Sequence, residues 1–528
     1  MRGLTKEVAV SKWNEIEQLL TASAPLDVLA RENIARDLAG ELGAAAIFPQ
    51  SLSRIRGGSG VVALAEGALR RIAWIGTGSN QPRLVNKPPL AEFKRGPLTI
   101  TLHDVDAEIM TRLVADIPWL RPRPNPGLPS LGLGDVFGKA TPGHIRGICG
   151  SGLFPILAQR SVRQNERTGG TFASAMQDVV WGILRDGYEM GFGADADHIS
   201  LPDEVEEAAK AGYVRFTFAL AGAMPDVEGL DRKELARQFA QTEQRFGAAA
   251  PWRKKYLGRS FQVPVGLRRE GISFDERAFF VTAIRLAPMI TSLVELAEVL
   301  RHAASGRPYE IEVSLDEADE PTSPHEHMML ATELGDLGVP LAALAPRLPE
   351  ELIEGLPYEG NLSKVVRRLQ LHHGIARATS QHAISLHAAG NKWRLLNRLG
   401  DATDGLFHAK IAAPSLNEAL RLALDEDPRL FDTIVKVAKD GYTPHGYKGW
   451  NLDPSLLPAP SELSKADAHE IFFESREGLL LLRASLGPMM ANKECRRGLM
   501  RLLEQNEELY LKMVTKQAME HVKALMGG

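Results

Sequence analysis

Two hydrophobic periods alternate along this 528-residue chain. Short apolar runs of strand length recur, and longer stretches whose apolar positions return every three or four residues lie between them. That alternation marks a parallel sheet covered by helices. Eight runs follow residue 130: Leu131–Phe137, Leu153–Gln159, Ala194–Ile199, Val214–Leu220, Tyr309–Leu315, Leu341–Leu348, Ala383–His387 and Leu406–Ile411. Helical stretches are Phe172–Met190, Asp203–Ala211, Phe274–His302, Pro324–Leu334, Leu362–Ala378 and Ser415–Leu424. Eight βα units predict a closed (β/α)8 TIM barrel over residues 130–425.

The flanks read differently. Residues 1–117 form a small α/β unit, with helical periodicity at Val8–Leu20, Pro25–Leu42 and Ala107–Ile117 and strand-like Ile72–Ile75 and Leu98–Leu102. Pro118, Pro122, Pro124, Pro126 and Pro129 make residues 118–129 an extended linker, because proline at that density excludes both helix and sheet interior. Residues 221–273 are too long for a simple crossover and predict an insertion with its own helix, Arg232–Phe246. Residues 426–528 read as a helical extension ending in amphipathic Lys493–Leu525.

Charge and cysteine usage narrow the function. The formal charge of −4 favours neither nucleic acid nor an anionic membrane, so a small soluble substrate is the expectation. Cys149 and Cys495 are too few for a disulfide scaffold and are expected to be reduced. The amino terminus lacks the apolar core of a signal peptide, which predicts a cytoplasmic protein.

A parallel barrel builds its active site at the carboxyl ends of its strands, and there the polar residues fall. In the fifth run Glu312, Ser314 and Asp316 alternate with Ile311, Val313 and Leu315, so the polar set faces the interior or its mouth. The seventh run places Ser385 and His387 on one face, and the eighth does the same with His408 and Lys410. With His198 after the third run, the set His198, Glu312, His387 and His408 offers nitrogen and oxygen ligands suited to Zn²⁺, Mn²⁺, Ni²⁺ or Fe²⁺. Other patterns carry less. The glycines of Gly132–Gly138 lie within a strand with the wrong spacing for a dinucleotide fingerprint, and Pro324-His325-Glu326-His327 reads as the opening of a helix.

Several segments in order are similar to the tagaturonate epimerase family. They are Gly134-Asp135, Thr141–Arg146, Ser151–Pro155, Gln159–Gly169, Gly191–His198, Glu312–Glu317, Pro321–Pro324, Phe407–Lys410 and Glu504–Tyr510. The resemblance implies a metal-dependent barrel enzyme that interconverts tagaturonate and fructuronate. Four loops depart from the family pattern. Its Ile-Asp-Pro-Ser-Asp stands here as Phe218–Gly222, and its His-Ser-Gly-Ser-Asp-Lys-Phe as His387–Trp393. Its Thr-Ala-Gly-Thr-Ser stands as Ile411–Ser415, and its His-Val-Thr-Tyr-Gly as Arg483–Gly487.

The two sugar acids differ at a carbon β to the ketone, whose C–H is not acidified by that carbonyl. Two routes remain, transient oxidation by a redox cofactor and retro-aldol cleavage with readdition, and without a dinucleotide motif the second is expected, with metal at Glu312, His198 and His387 and His408 as a fourth ligand or an outer group. On this reading Asp197, Glu166 or Lys410 move protons, while Gln159, Arg163, Arg167 and Lys392 hold the substrate. Two alternatives stand beside it: an epimerase, isomerase or aldolase for another sugar acid, and a degenerate barrel with a binding or regulatory role. Oligomeric state is not legible from the chain.

Overall fold

All eight apolar runs become strands, and the strands close into one parallel barrel. In this computed structural model they are β1 Ser130–Leu133, β2 Phe154–Ser161, β3 Gly193–Ile199, β4 Arg215–Ala219, β5 Glu310–Ser314, β6 Leu341–Ala345, β7 Ala383–Leu386 and β8 Phe407–Ile411. β8 pairs with β1 to complete the ring. The structure describes every residue except 1, 23–25, 43–45, 56–58, 67–68, 78–86, 250, 350–351, 354, 412–413, 444–450 and 528. Ala412 and Ala413, in one of the departing loops, therefore lie outside the described residues.

Helices follow the strands as the sequence predicts, and their ends are set by local chemistry. Pro324–Asp336 starts with a capping box in which Ser323 and Glu326 each satisfy the other's backbone N–H. Leu362–Ala378 is capped by Asn361. Glu276–Ala304 is, among the described residues, the helix long and apolar enough to cross a membrane, but Phe279, Ile284, Leu286, Ile290 and Leu293 are buried within the protein. The insertion after β4 holds the expected helix, Arg232–Arg245, and also a hairpin of Ser260–Val265 and Arg268–Ser273. Glu333 anchors its second helix, Trp252–Tyr256, by accepting from Trp252 Nε1 at 2.7 Å and from the Tyr256 hydroxyl.

One helical expectation fails. Lys493–Leu525 is not continuous: it breaks into Lys493–Gln505 and Glu507–Met526 at Asn506, whose amide folds back to donate to the Leu502 carbonyl at 3.1 Å. Asparagine competes with the helix for backbone partners in this way. The second piece seats against Thr141–Ile148, where Gly147 leaves room: an added Cβ would come within 2.5 Å of the Ala518 methyl. Tyr510 then donates to the Ser415 carbonyl at 3.0 Å, beside β8. Both cysteines are free; Cys495 is buried and Cys149 exposed.

A separate compact unit comprises residues 1–122 with 177–191. Its six-stranded sheet is antiparallel, and four of its strands, Ala46–Ile47, Ser53–Ile55, Ser59–Glu66 and Ala91–Arg95, were not legible in the sequence. In Ser59–Glu66 the successive residues Val61, Val62, Ala63 and Leu64 are all buried, so this strand shows no alternation to read.

Candidate active site

The barrel interior is charged. Inward positions carry Asp195 and Asp197 on β3, Arg215 and Thr217 on β4, Glu312 on β5, and His408 and Lys410 on β8, and all but Asp197 are fully buried. Strand register brings them together, because Thr217 stands opposite Glu312 and Ser385 opposite His408. Buried charge is costly unless paired, and here the pairing is dense. Arg215 grips Glu312 Oε2 through Nη2 at 2.6 Å and Nε at 3.1 Å. Lys410 Nζ lies 2.6 Å from Asp197, 2.7 Å from Thr217, 2.8 Å from Asp195 and 3.3 Å from Glu312.

Above this layer two imidazoles converge. His387, just past β7, donates through Nε2 to Glu312 Oε1 at 2.6 Å, and its Nδ1 lies 3.1 Å from Asp316 Oδ1. His198 sets Nδ1 against Asp197 Oδ1 at 3.0 Å and points Nε2 toward Asp316 at 3.8 Å. Regular alternation would send His198 outward, since Asp197 faces in. A β-bulge prevents this: Phe216 pairs with Ala196 but Phe218 with Ile199, so Asp197 and His198 together stand opposite Thr217. His198 takes a left-handed backbone, φ +54°, and Ala388 beside His387 does likewise at φ +51°. Bulges and left-handed residues of this kind re-aim side chains into sites.

The charges shape one another. Burial alone would lower His387, but Asp316 and Glu312 raise it to about 9. His198 is raised well above the usual imidazole range against the same burial cost, by Asp197 and Asp316. Burial would raise Glu312, yet Lys410 and Arg215 hold it well below the carboxylate range. Asp316 is likewise held down, against burial, by His387 and His198. Burial beside Arg215 pushes His408 well below its ordinary value.

Five residues expected from sequence thus meet here: Asp197, His198, Glu312, His387 and Lys410. The others are placed differently. His408 lies deeper, its Nδ1 2.9 Å from the Ser130 hydroxyl and its Nε2 buried without a partner. Gln159 is buried across from Gly132, where an added Cβ would meet its Oε1 at 2.0 Å; that close approach explains the in-strand glycine. Arg163 pairs with Glu317 at 2.7 Å at the rim, and Glu317 Oε1 is 3.8 Å from His198 Nε2. Glu166 is exposed on the short helix Val162–Thr168, and Arg167 on the same helix lies beside Gly487. Lys392 is buried, and its ammonium donates to the carbonyls of Ile353 at 2.8 Å and Leu356 at 3.2 Å.

Among the described residues, ligand atoms lie within 4.8 Å of one another in each of two groups: His198, Asp316 and His387, and, deeper, Asp195, Glu312 and His408. The four expected ligands are therefore divided between two sets. Glu312 instead pairs with Arg215, His387 and Lys410, and it is Asp316 that lies between the histidines. Asp195, Arg215 and Thr217 were overlooked in sequence because each needs a neighbouring strand to acquire a partner.

A charged cluster at the carboxyl ends of the strands defines a (β/α)8-barrel enzyme. The family model described as tagaturonate epimerase matches residues 70–525. The tagaturonate/fructuronate epimerase of Thermotoga maritima is 33% identical over 400 residues, spanning 75% of this chain and 81% of that protein. The glycerol-complexed fructuronate-tagaturonate epimerase of Cohnella laeviribosi superposes with a TM-score of 0.82 at 23% identity, over 94% of this chain and 99% of that one. Its native form gives 0.81 over 93% of this chain. The chain belongs to the tagaturonate epimerase family, whose members are isomerases.

Proposed function

We propose that this protein is a cytoplasmic, metal-dependent epimerase that interconverts tagaturonate and fructuronate by retro-aldol cleavage and readdition. The observation that carries the metal reading is the geometry of the two histidines. Each has one ring nitrogen against a carboxylate, Glu312 for His387 and Asp197 for His198, and each turns its other nitrogen toward Asp316. Metal-binding histidines are oriented by outer carboxylates in this manner. His387 Nδ1 is buried 3.1 Å from Asp316 Oδ1, close enough for one ion to be held by both atoms.

His198, Asp316 and His387 would hold the ion, and Glu312 moves from ligand to orienting group. A divalent cation there supplies Lewis-acid stabilisation of developing negative charge. The nitrogen and oxygen donor set suits Zn²⁺, Mn²⁺, Ni²⁺ or Fe²⁺. Arg163, at the rim, offers a planar guanidinium for the substrate carboxylate. Glu317 beside it takes the proton from the β-hydroxyl. The bond between the α- and β-carbons then breaks, its electron pair passing to the enediolate. The aldehyde fragment rotates, the enediolate adds to its other face, and Glu317 returns the proton. Asp197 and Lys410, bonded to each other at 2.6 Å beneath the histidines, orient this assembly.

The route fixes the fate of one hydrogen. Only a carbon–carbon bond breaks at the inverted centre, so product formed in heavy water carries no deuterium on that carbon. Mass spectrometry locating deuterium there would rule the route out.

A further inference from the structure

We infer that Lys410 is a positioning residue, a built-in cation whose ammonium fixes the two carboxylates that orient the two metal-binding histidines. The inference rests on the His198, Asp316 and His387 reading. A lysine ammonium has three N–H donors. Here Asp197 at 2.6 Å and Thr217 at 2.7 Å accept two of them, the carboxylates of Asp195 and Glu312 lie within ion-pair distance at 2.8 and 3.3 Å, and Lys410 is only 3% exposed. The ammonium is thus enclosed by side chains of the barrel interior.

The same charge works in two directions. Through Asp197 it sets His198, and through Glu312, 3.3 Å away, it sets His387. Each histidine then keeps its proton on the nitrogen facing the carboxylate, which leaves His198 Nε2 and His387 Nδ1 for the ion. Lys410 also accounts for the deeper group of Asp195, Glu312 and His408. Its ammonium is already within ion-pair distance of both carboxylates, where a second cation would have to sit. Arginine would not serve, because a compact point charge reaches three carboxylates at once whereas a planar fork does not.

The test is Co²⁺ titration of the wild-type protein, Asp316→Asn, Asp195→Asn and the pair Lys410→Met with Asp195→Asn. The pair removes one charge of each sign, so the interior is not left with an extra unpaired carboxylate. Relative to Asp195→Asn alone, the pair should weaken Co²⁺ binding by about tenfold or more, the usual cost of losing an outer orienting group. Turnover at saturating Co²⁺ should return to the Asp195→Asn level. Equal Co²⁺ affinity in the two proteins overturns the inference. So does turnover that stays lost at saturating Co²⁺, since that would put Lys410 in the chemistry itself. Should the pair fail to fold, Lys410→Arg keeps the charge and must show the same weakening; unchanged affinity there overturns the inference equally. If Co²⁺ binding is absent from wild type, or is the same in Asp316→Asn, the triad reading falls first and takes Lys410's role with it.

Discussion

The imidazoles of His198 and His387 stand with ring centroids 5.0 Å apart, tilted by 54°, and the Asp316 carboxylate lies between their outward nitrogens. The two rings come from strands well separated in sequence, and the barrel closure alone makes them neighbours.

Asp316→Asn should lose bound divalent metal while the protein stays folded. A neutral amide is a poor ligand, and the Asp316 side chain is a quarter exposed at the mouth. Elemental analysis of the purified variant against wild type reads the loss; equal metal content removes Asp316 from the ligand set.

Glu312→Gln should behave differently. Glu312 compensates Arg215 and Lys410 inside the barrel, so neutralising it leaves buried cations underpaired, at a cost of about 3–5 kcal/mol. Urea denaturation should show that drop, and stability within 1 kcal/mol or so of wild type would contradict the pairing.

Acid should destabilise the protein through histidines remote from this cluster. His327 bridges His372 at 2.9 Å and His382 at 2.7 Å in a buried row, and Ser380 bonds His382 at 2.8 Å. Burial, with repulsion from Arg368 and His382, pushes His372 down to about 3; burial, with His373, does the same to His382. Both folded values lie below the unfolded one, so the unfolded chain binds more protons in acid. Stability is full above pH 6.5 and is lost as pH falls from 6.5 toward 3. At pH 5.5 each histidine costs about 1.4 kcal/mol, roughly 3 kcal/mol for the two. Denaturation of wild type and His382→Asn at pH 7.5 and 5.5 measures this, and the variant should lose about 1.4 kcal/mol less than wild type on acidification. An equal loss in the two proteins would refute it.

The departing loops give a prediction about substrate. Ala388 directly follows His387, and Ala219 ends β4, so the serine and aspartate found there in the family pattern would add polar groups near the mouth. Ala388→Ser with Ala219→Asp should raise tagaturonate turnover in a direct kinetic assay, and no change would detach these positions from substrate binding. Asn391→Asp should not help. Asn391 Nδ2 donates to the Gly355 carbonyl at 2.9 Å, and a carboxylate there would lose about 1 kcal/mol or more.

By itself the sequence determined the barrel, its strand count, most of its helices and the polar character of its strand ends. Periodicity is a local property: Ile311, Val313 and Leu315 bury one face of β5 whatever its neighbours are, and Glu312 must then face inward. His387 and Lys410 were legible for the same reason. What only the tertiary structure decided is who meets whom. Lys410 acquires its partners from β3, β4 and β5, none of which is adjacent to β8 in the ring. Lys392, a plausible substrate contact from its place after β7, is instead drawn to two backbone carbonyls of the preceding loop. His198 faces the mouth because of a one-residue bulge that strict alternation does not foresee. Side-chain direction follows from local pattern, but charge pairing follows from closure of the sheet, and closure brings together residues about two hundred positions apart.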